Sequence, residues 1–255
     1  MASPWPALGP AETMVLLDPR ADARDTVKIA LTSLLLKGVL RAGEVAKSRW
    51  LFGGRHRTLS RAGLSETATP GERAVLAIIP TGGLAATLDD VVRDLRTAFG
   101  SGFRGFPKEC LLPDLVRRGL LAPHLRRHWL FFARVDYEPT PAGEAERSRI
   151  RGLMERARRL PPFLAENRAE ALAVVAGLGT AILLVEELRP HLTELRALLR
   201  PEAADNGGGG DLGDSDLPEL DLGALDAFDG SFDAAFDGAG GDGGGDGGGD
   251  GGGGK

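Results

Sequence analysis

The chain has 255 residues with 31 Lys or Arg and 36 Asp or Glu, a net charge of −5. That average conceals two unlike parts: 14 of the acidic residues and a single base, Lys255, lie from Glu202 onward, which leaves the first 201 residues at +8. One cysteine, Cys110, excludes an intramolecular disulfide and fits a reducing, cytoplasmic setting. No basic region followed by an apolar run opens the chain, so no signal peptide is read. No uncharged stretch exceeds fifteen residues, too short for a bilayer span; the most apolar, 171–185, is bracketed by Glu170, Glu186 and Glu187, a buried helix is the preferred reading, and membrane association is not expected.

Taken in order, residues 1–24 are rich in Pro and Ala and read as an irregular arm. Asp25 opens a helix whose stripe is Val27, Ala30, Leu31, Leu34 and Leu35, ending at Gly38. Residues 44–50 and 55–60, joined by Gly53-Gly54, read as a β-hairpin. Thr69-Pro70-Gly71-Glu72 is a helix start: a capping hydroxyl, proline in the first turn and a glutamate to complete a capping box. Thr87 with Asp89 and Asp90 starts the next helix, with Val91, Val92, Leu95 and Phe99 on one side.

Residues 100–107 read as a flexible loop, 115–121 as a short helix passing into a strand, and 129–137 as an aromatic strand. Thr140-Pro141 caps a long helix buried through Ile150, Leu153, Met154, Ala157 and Leu160, which Pro161-Pro162 ends. An apolar helix is expected over 168–185. Leu188, Leu192, Leu195 and Leu199 continue a stripe around Pro190.

Two stretches resemble each other. "LTSLLLKGVL", "SRWLF" and "LSRAG" in 31–63 are matched by "LPDLVRRGLL", "RHWLF" and "TPAG" in 112–143, each ordered helix, strand, turn, strand, helix start. In the second unit "LVRRGLL" and "HWLFFARVDYEPTPAGEA" resemble the recognition helix, wing and return helix of bacterial winged-helix domains. The overall order resembles the cytoplasmic part of bacterial membrane proteins of unknown function with paired winged-helix-like modules and a Gly-rich C-terminal tail. This chain departs from them in lacking obvious membrane spans and tail cysteines. The elements taken in order give an α+β, mostly helical fold, and the resemblance makes its two helix-plus-hairpin units winged-helix-like: an arm (1–24), a first helix-plus-hairpin module (25–66), a second winged-helix-like module (67–160), C-terminal helices (161–201) and a disordered acidic Gly-rich tail (202–255).

A winged helix that binds DNA needs cations at the phosphates. Arg55, Arg57 and Arg61 on the first hairpin, and Arg117, Arg118, Arg126 and Arg127 on the second unit, are the candidates. Against that use, Pro113 is expected to cut the recognition helix to a turn or two, and base-reading side chains are scarce there.

Other motifs fail on context. Gly100-Ser101-Gly102-Phe103-Arg104-Gly105 has the letters of a dinucleotide loop but follows a helix and precedes Phe106-Pro107; an anion nest with Arg104 and Lys108 is the looser alternative. Gly82-Gly83 lacks the rest of a phosphate-binding loop. His124 and His128 are four apart without a zinc-helix context, and they read as surface or strand residues. No catalytic constellation, cofactor or metal site is read, so the expectation is a non-enzymatic interaction or scaffold protein with an unidentified protein partner; a nucleic-acid-binding regulator is the alternative.

In the tail, Leu225, Phe228, Phe232 and Phe236 form one apolar stripe on a helix, with Asp226, Asp229, Asp233 and Asp237 beside it. Alone, so short a segment is expected to stay unfolded. It could fold into a groove in cis or in trans, and its charge suggests that it binds the basic body and competes there with an anionic partner. Asp242, Asp246 and Asp250 among glycines lack the apolar residue of a calcium-binding roll.

Overall fold

A computed structural model describes residues 8–46, 55–62, 68–82, 84–128, 132–160, 168–192 and 222–238. The fold is α+β and mostly helical, with small antiparallel sheets. Helix α1 (Pro10–Leu17) lies within the stretch expected to be irregular; proline in its first turn presets the helical backbone, and Ala11, Val15 and Leu16 are buried. Its identity is set by tertiary burial, which the Pro/Ala-rich local sequence does not advertise.

Helix α2 (Ala23–Leu36) starts two residues earlier than Asp25, because the Asp22 carboxylate caps the backbone N–H groups of Arg24 and Asp25. Strands β1 (Leu40–Ala46) and β2 (Arg55–Arg61) pair from Leu40–Arg61 to Ala46–Arg55. The first strand therefore begins four residues before position 44. Helix α3 (Pro70–Ile78) carries the complete capping box of Thr69 and Glu72. A short strand, β3 (Ala86–Thr87), adds to β2 and leads directly into α4 (Leu88–Phe99), capped by Thr87. Through β3, backbone hydrogen bonds join the segments on either side of residue 66.

A π-helical turn (Pro107–Leu111) runs into α5 (Leu112–Arg117). Proline lacks an N–H, and its ring crowds the carbonyl four residues back; a widened turn before Pro113 relieves both, so the backbone remains helical up to and through the proline. Strands β4 (Leu121–His128) and β5 (Phe132–Pro139) form a second hairpin, paired from Leu121–Pro139 to His128–Phe132. Helix α6 (Pro141–Arg158) follows, with the Thr140 hydroxyl capping Gly143 N at 3.0 Å.

The helices preceding the two hairpins end alike. Val39 N donates to Leu34 O and Gly38 N to Leu35 O; Leu120 N donates to Leu115 O and Gly119 N to Val116 O. Gly38 and Gly119 both sit at φ +69°. The left-handed glycine turns the chain out of the helix and straight into a strand.

The expected helix over 168–185 divides. Helix α7 (Arg168–Leu178) stops at Gly179, φ +54°, and the chain continues as 3₁₀ segments Gly179–Leu184 and Glu186–His191. Among the described residues no helix is long and apolar enough to cross a membrane. Leu188 and Leu192 are buried as their stripe predicted, while Leu195 and Leu199 lie outside the described residues. Within the stretch expected to be disordered, residues 222–238 form helix α8 (Leu222–Gly238). Its Phe228, Phe232 and Ala235 join the core made by α1–α7.

Candidate functional site

The most developed recognition geometry in the molecule is the seat of α8. Two aromatic rings of its stripe, Phe228 and Phe232, are fully buried. Phe103 forms the floor beneath Phe232 and Phe236: its ring centroid lies 6.3 Å from that of Phe232 and 5.2 Å from that of Phe236. Phe103 itself is fully buried with φ +55°, a left-handed backbone that a bulky residue adopts at a cost of about 1–3 kcal/mol. Residues 100–107, expected to be flexible, are thus anchored at both Phe103 and Phe106, whose rings point into the core. Phe106 also meets Phe99 edge-on at 5.3 Å.

Charge lines the rim. From α2, Arg24 Nη2 reaches Asp233 at 2.9 Å and Nη1 reaches Asp237 at 3.2 Å, while Lys28 Nζ lies 3.1 Å from Asp233 and 3.6 Å from Asp229. From the second 3₁₀ segment, Arg189 Nη1 lies 3.0 Å from Asp229. Arg96 of α4 donates to the carbonyl of Phe236. The guanidinium carbons of Arg24 and Arg96 sit 4.1 and 4.5 Å from the Phe236 ring centroid, within cation–π range. Burial of Asp233 would raise its pKa, but the hydrogen bonds and charges of Lys28 and Arg24 outweigh that and hold it below the usual aspartate value. Each Phe-Asp step of α8 does two jobs: the ring fills the groove and the next carboxylate meets a cation on its edge.

Of the residues singled out in sequence, the structure brings Phe228, Phe232 and Phe236 together here; Leu225 lies on α8 but its side chain is outside the described residues. The basic partners are a different set from the arginines expected to meet anions. Arg57 pairs with Glu44 at 3.5 Å, Arg126 with Glu138 at 2.7 Å, and Arg117 and Arg118 both with the buried Asp114. These cations are already matched. Arg61 ends β2, and the side chains of Arg55 and Arg127 lie outside the described residues. Arg104 and Lys108 are exposed and make no ion pair among the described residues. His124 lies in β4, 3.7 Å from Glu138; His128 ends that strand.

A cleft of about 720 Å³ opens beside β5, where Lys108, Arg20, Arg126 and Arg147 meet Asp18, Asp136 and Glu138. Its charges largely answer one another: Arg20 lies 3.8 Å and Arg126 3.4 Å from Asp136. Cys110 is half-buried, and burial pushes its thiol pKa up, away from the reactive thiolate. Among the described residues no group of three or more His, Cys, Asp or Glu side chains is placed to hold a metal ion.

Sequence reasoning reached the apolar stripe of α8 through its four-residue spacing. It missed Arg24, Lys28, Arg96 and Arg189, which lie on three separate elements; no local pattern marks them. No protein-family model, curated protein or solved structure matches the chain.

Proposed function

We propose that this is a non-enzymatic, cytoplasmic protein-interaction protein whose body carries a groove for an acidic, phenylalanine-bearing helix, with its own α8 as the occupant in cis. The observation that carries this reading is the paired recognition along α8, rings into the groove and carboxylates onto Arg24, Lys28 and Arg189. Tandem winged-helix-like modules are the architecture that goes with it. The matched caps at Gly38 and Gly119 and the hairpins that follow them support a repeated helix-plus-hairpin unit put to use as a scaffold.

The test uses the full chain with Asp229→Lys and Asp233→Lys, which turns the tail's own charges against the groove without removing a core ring. A fluorescent peptide of residues 222–238 is expected to bind this variant, more weakly as salt rises, and to bind far less when Arg24→Glu and Lys28→Glu are added. A lack of binding at low salt would remove the reading.

The second reading is a nucleic-acid-binding regulator. One observation favours it: release of α8 frees four cations, Arg24, Lys28, Arg96 and Arg189, around the aromatic Phe103. Labelled duplex and single-stranded DNA offered to the same variant distinguish the two. Binding with a steep salt dependence, suppressed in the wild-type chain, would favour the regulator.

A further inference from the structure

Helix α8 is a poor helix in a good site. Gly230 lies in its middle, exposed, and a Cβ added there meets nothing within 4 Å. Glycine at such a position costs about 1 kcal/mol against alanine, and no close approach requires it. Asp229, Asp233 and Asp237 follow one another at four-residue spacing, so like charges face each other along the helix. Asp237 also stands in the last turn, where the helix dipole disfavours a carboxylate. Free in solution this segment has little reason to be helical; docked, the Asp charges are answered by Arg24, Lys28 and Arg189.

The groove, by contrast, is prepared. Phe103 is held at φ +55° with its ring where Phe232 and Phe236 pack, and the cations come from α2 and the 3₁₀ segment, which are built into the core. Tethering explains how a weak helix can still occupy it. Residues 193–221 join the two covalently, which makes docking intramolecular and independent of protein concentration. The contacts themselves need not be strong.

Resting on the interaction reading above, we propose that α8 is a displaceable resident, and that the groove's external ligand is a helix of another protein. That helix carries a Phe or Leu at every fourth position, each followed by Asp or Glu, and lacks the internal glycine. Such a helix makes the same contacts while losing less on folding, so it can compete with a tethered but weaker copy. The charge pattern fixes the polarity of the ligand: its acidic edge runs along α2 from Lys28 to Arg24.

The closing experiment uses full-length protein throughout and two peptides: residues 222–238, and the same sequence with Gly230→Ala. Vacated chains are Asp229→Lys/Asp233→Lys and, in case that variant fails to fold, Phe236→Asp. By anisotropy the alanine peptide should bind a vacated chain about fivefold more tightly than its parent, the equilibrium equivalent of the Gly–Ala helix difference. Added in excess to the wild-type chain, it should raise amide exchange throughout α8 while the core helices stay protected. The parent peptide binding a vacated chain, with the alanine peptide neither tighter nor able to release α8, would overturn the displacement proposal and leave the interaction reading standing. Neither peptide binding either vacated chain would remove both. Concentration-dependent dimerisation of the wild-type chain that is lost in the vacated variants would make the occupant a second copy and overturn the assignment to another protein. Tighter binding of DNA than of either peptide would do the same in favour of nucleic acid.

Discussion

At the scale of single residues, the N-terminus of α3 concentrates more buried charge than any other described part of the body. Glu72 is 1% exposed and accepts hydrogen bonds from Thr69 N at 2.8 Å, Ser33 Oγ at 2.6 Å and Lys37 Nζ at 2.7 Å. Glu12, reaching across from α1, is completely buried, accepts from Gly71 N at 3.2 Å and from the Thr69 hydroxyl, and has one oxygen without a partner. The two carboxylates differ in consequence. Glu72 has three donors, one of them the Lys37 cation, so Glu72→Ala strands Lys37, uncaps α3 and should destabilise the fold by about 3 kcal/mol, read from a denaturant midpoint. Glu12 has no cationic partner among the described residues, and burial raises its pKa, with the nearby Glu72 charge adding to the effect. A raised folded pKa contributes stability that is fully present below the unfolded value and is lost as pH rises through the folded one. Glu12→Gln therefore should gain stability relative to wild type as pH rises above the unfolded glutamate value, and urea midpoints at an acidic and a neutral pH check it. An equal difference at the two pH values would mean that the Glu12 carboxyl does not couple to stability.

Elements show which parts of a fold are written locally. Thr69-Pro70-Gly71-Glu72, Thr87-Leu88-Asp89-Asp90 and Thr140-Pro141 could be read directly because a cap and the groups it satisfies lie within four residues. Helix α1 could not, since eight residues of mixed propensity become a helix only by burying Ala11, Val15 and Leu16 against the rest. The π-helical turn before Pro113 was equally hidden, because it is a packing solution to a proline that local rules treat as a stop. Other junctions carry tight contacts that no motif announces. An added Cβ at Gly143, the third residue of α6, would lie 2.0 Å from Leu120 O, so helix start and strand start touch backbone to backbone. Gly143→Ala should cost about 1–3 kcal/mol by forcing α6 away from the second hairpin. Ala142→Ser, one residue away on an exposed position, should cost little, which separates a contact effect from a propensity effect.

At the scale of the whole molecule, the acidic edge of α8 meets cations of the basic body, and in the sequence this was legible as a charge imbalance and an apolar stripe without the partners of either. The sequence gives the spacing of Phe228, Phe232 and Phe236, but Arg24 and Asp233 are 209 positions apart, so their meeting belongs to the tertiary fold. Their ion pairs are partly shielded: Lys28 is 18% and Asp229 22% exposed, which leaves them less screened than pairs at the open surface. Docking should accordingly be more labile than the core yet respond to both salt and acid. The sign for acid follows from Asp233, whose docked pKa lies below the free value. Its contribution is present above the free aspartate range and is lost as pH falls through the docked value, so α8 should leave the groove below about pH 4. Phe232→Ala offers a second route to the same state. A buried ring truncated in a rigid core costs about 3–5 kcal/mol, but here α8 can detach, so the global loss is capped by the docking free energy. Amide exchange read by mass spectrometry should therefore show α8 deprotected in Phe232→Ala, at high salt and in mild acid, with α2 and α4 still protected in all three. Loss of protection in α2 and α4 together with α8 would instead make α8 an inseparable piece of the core.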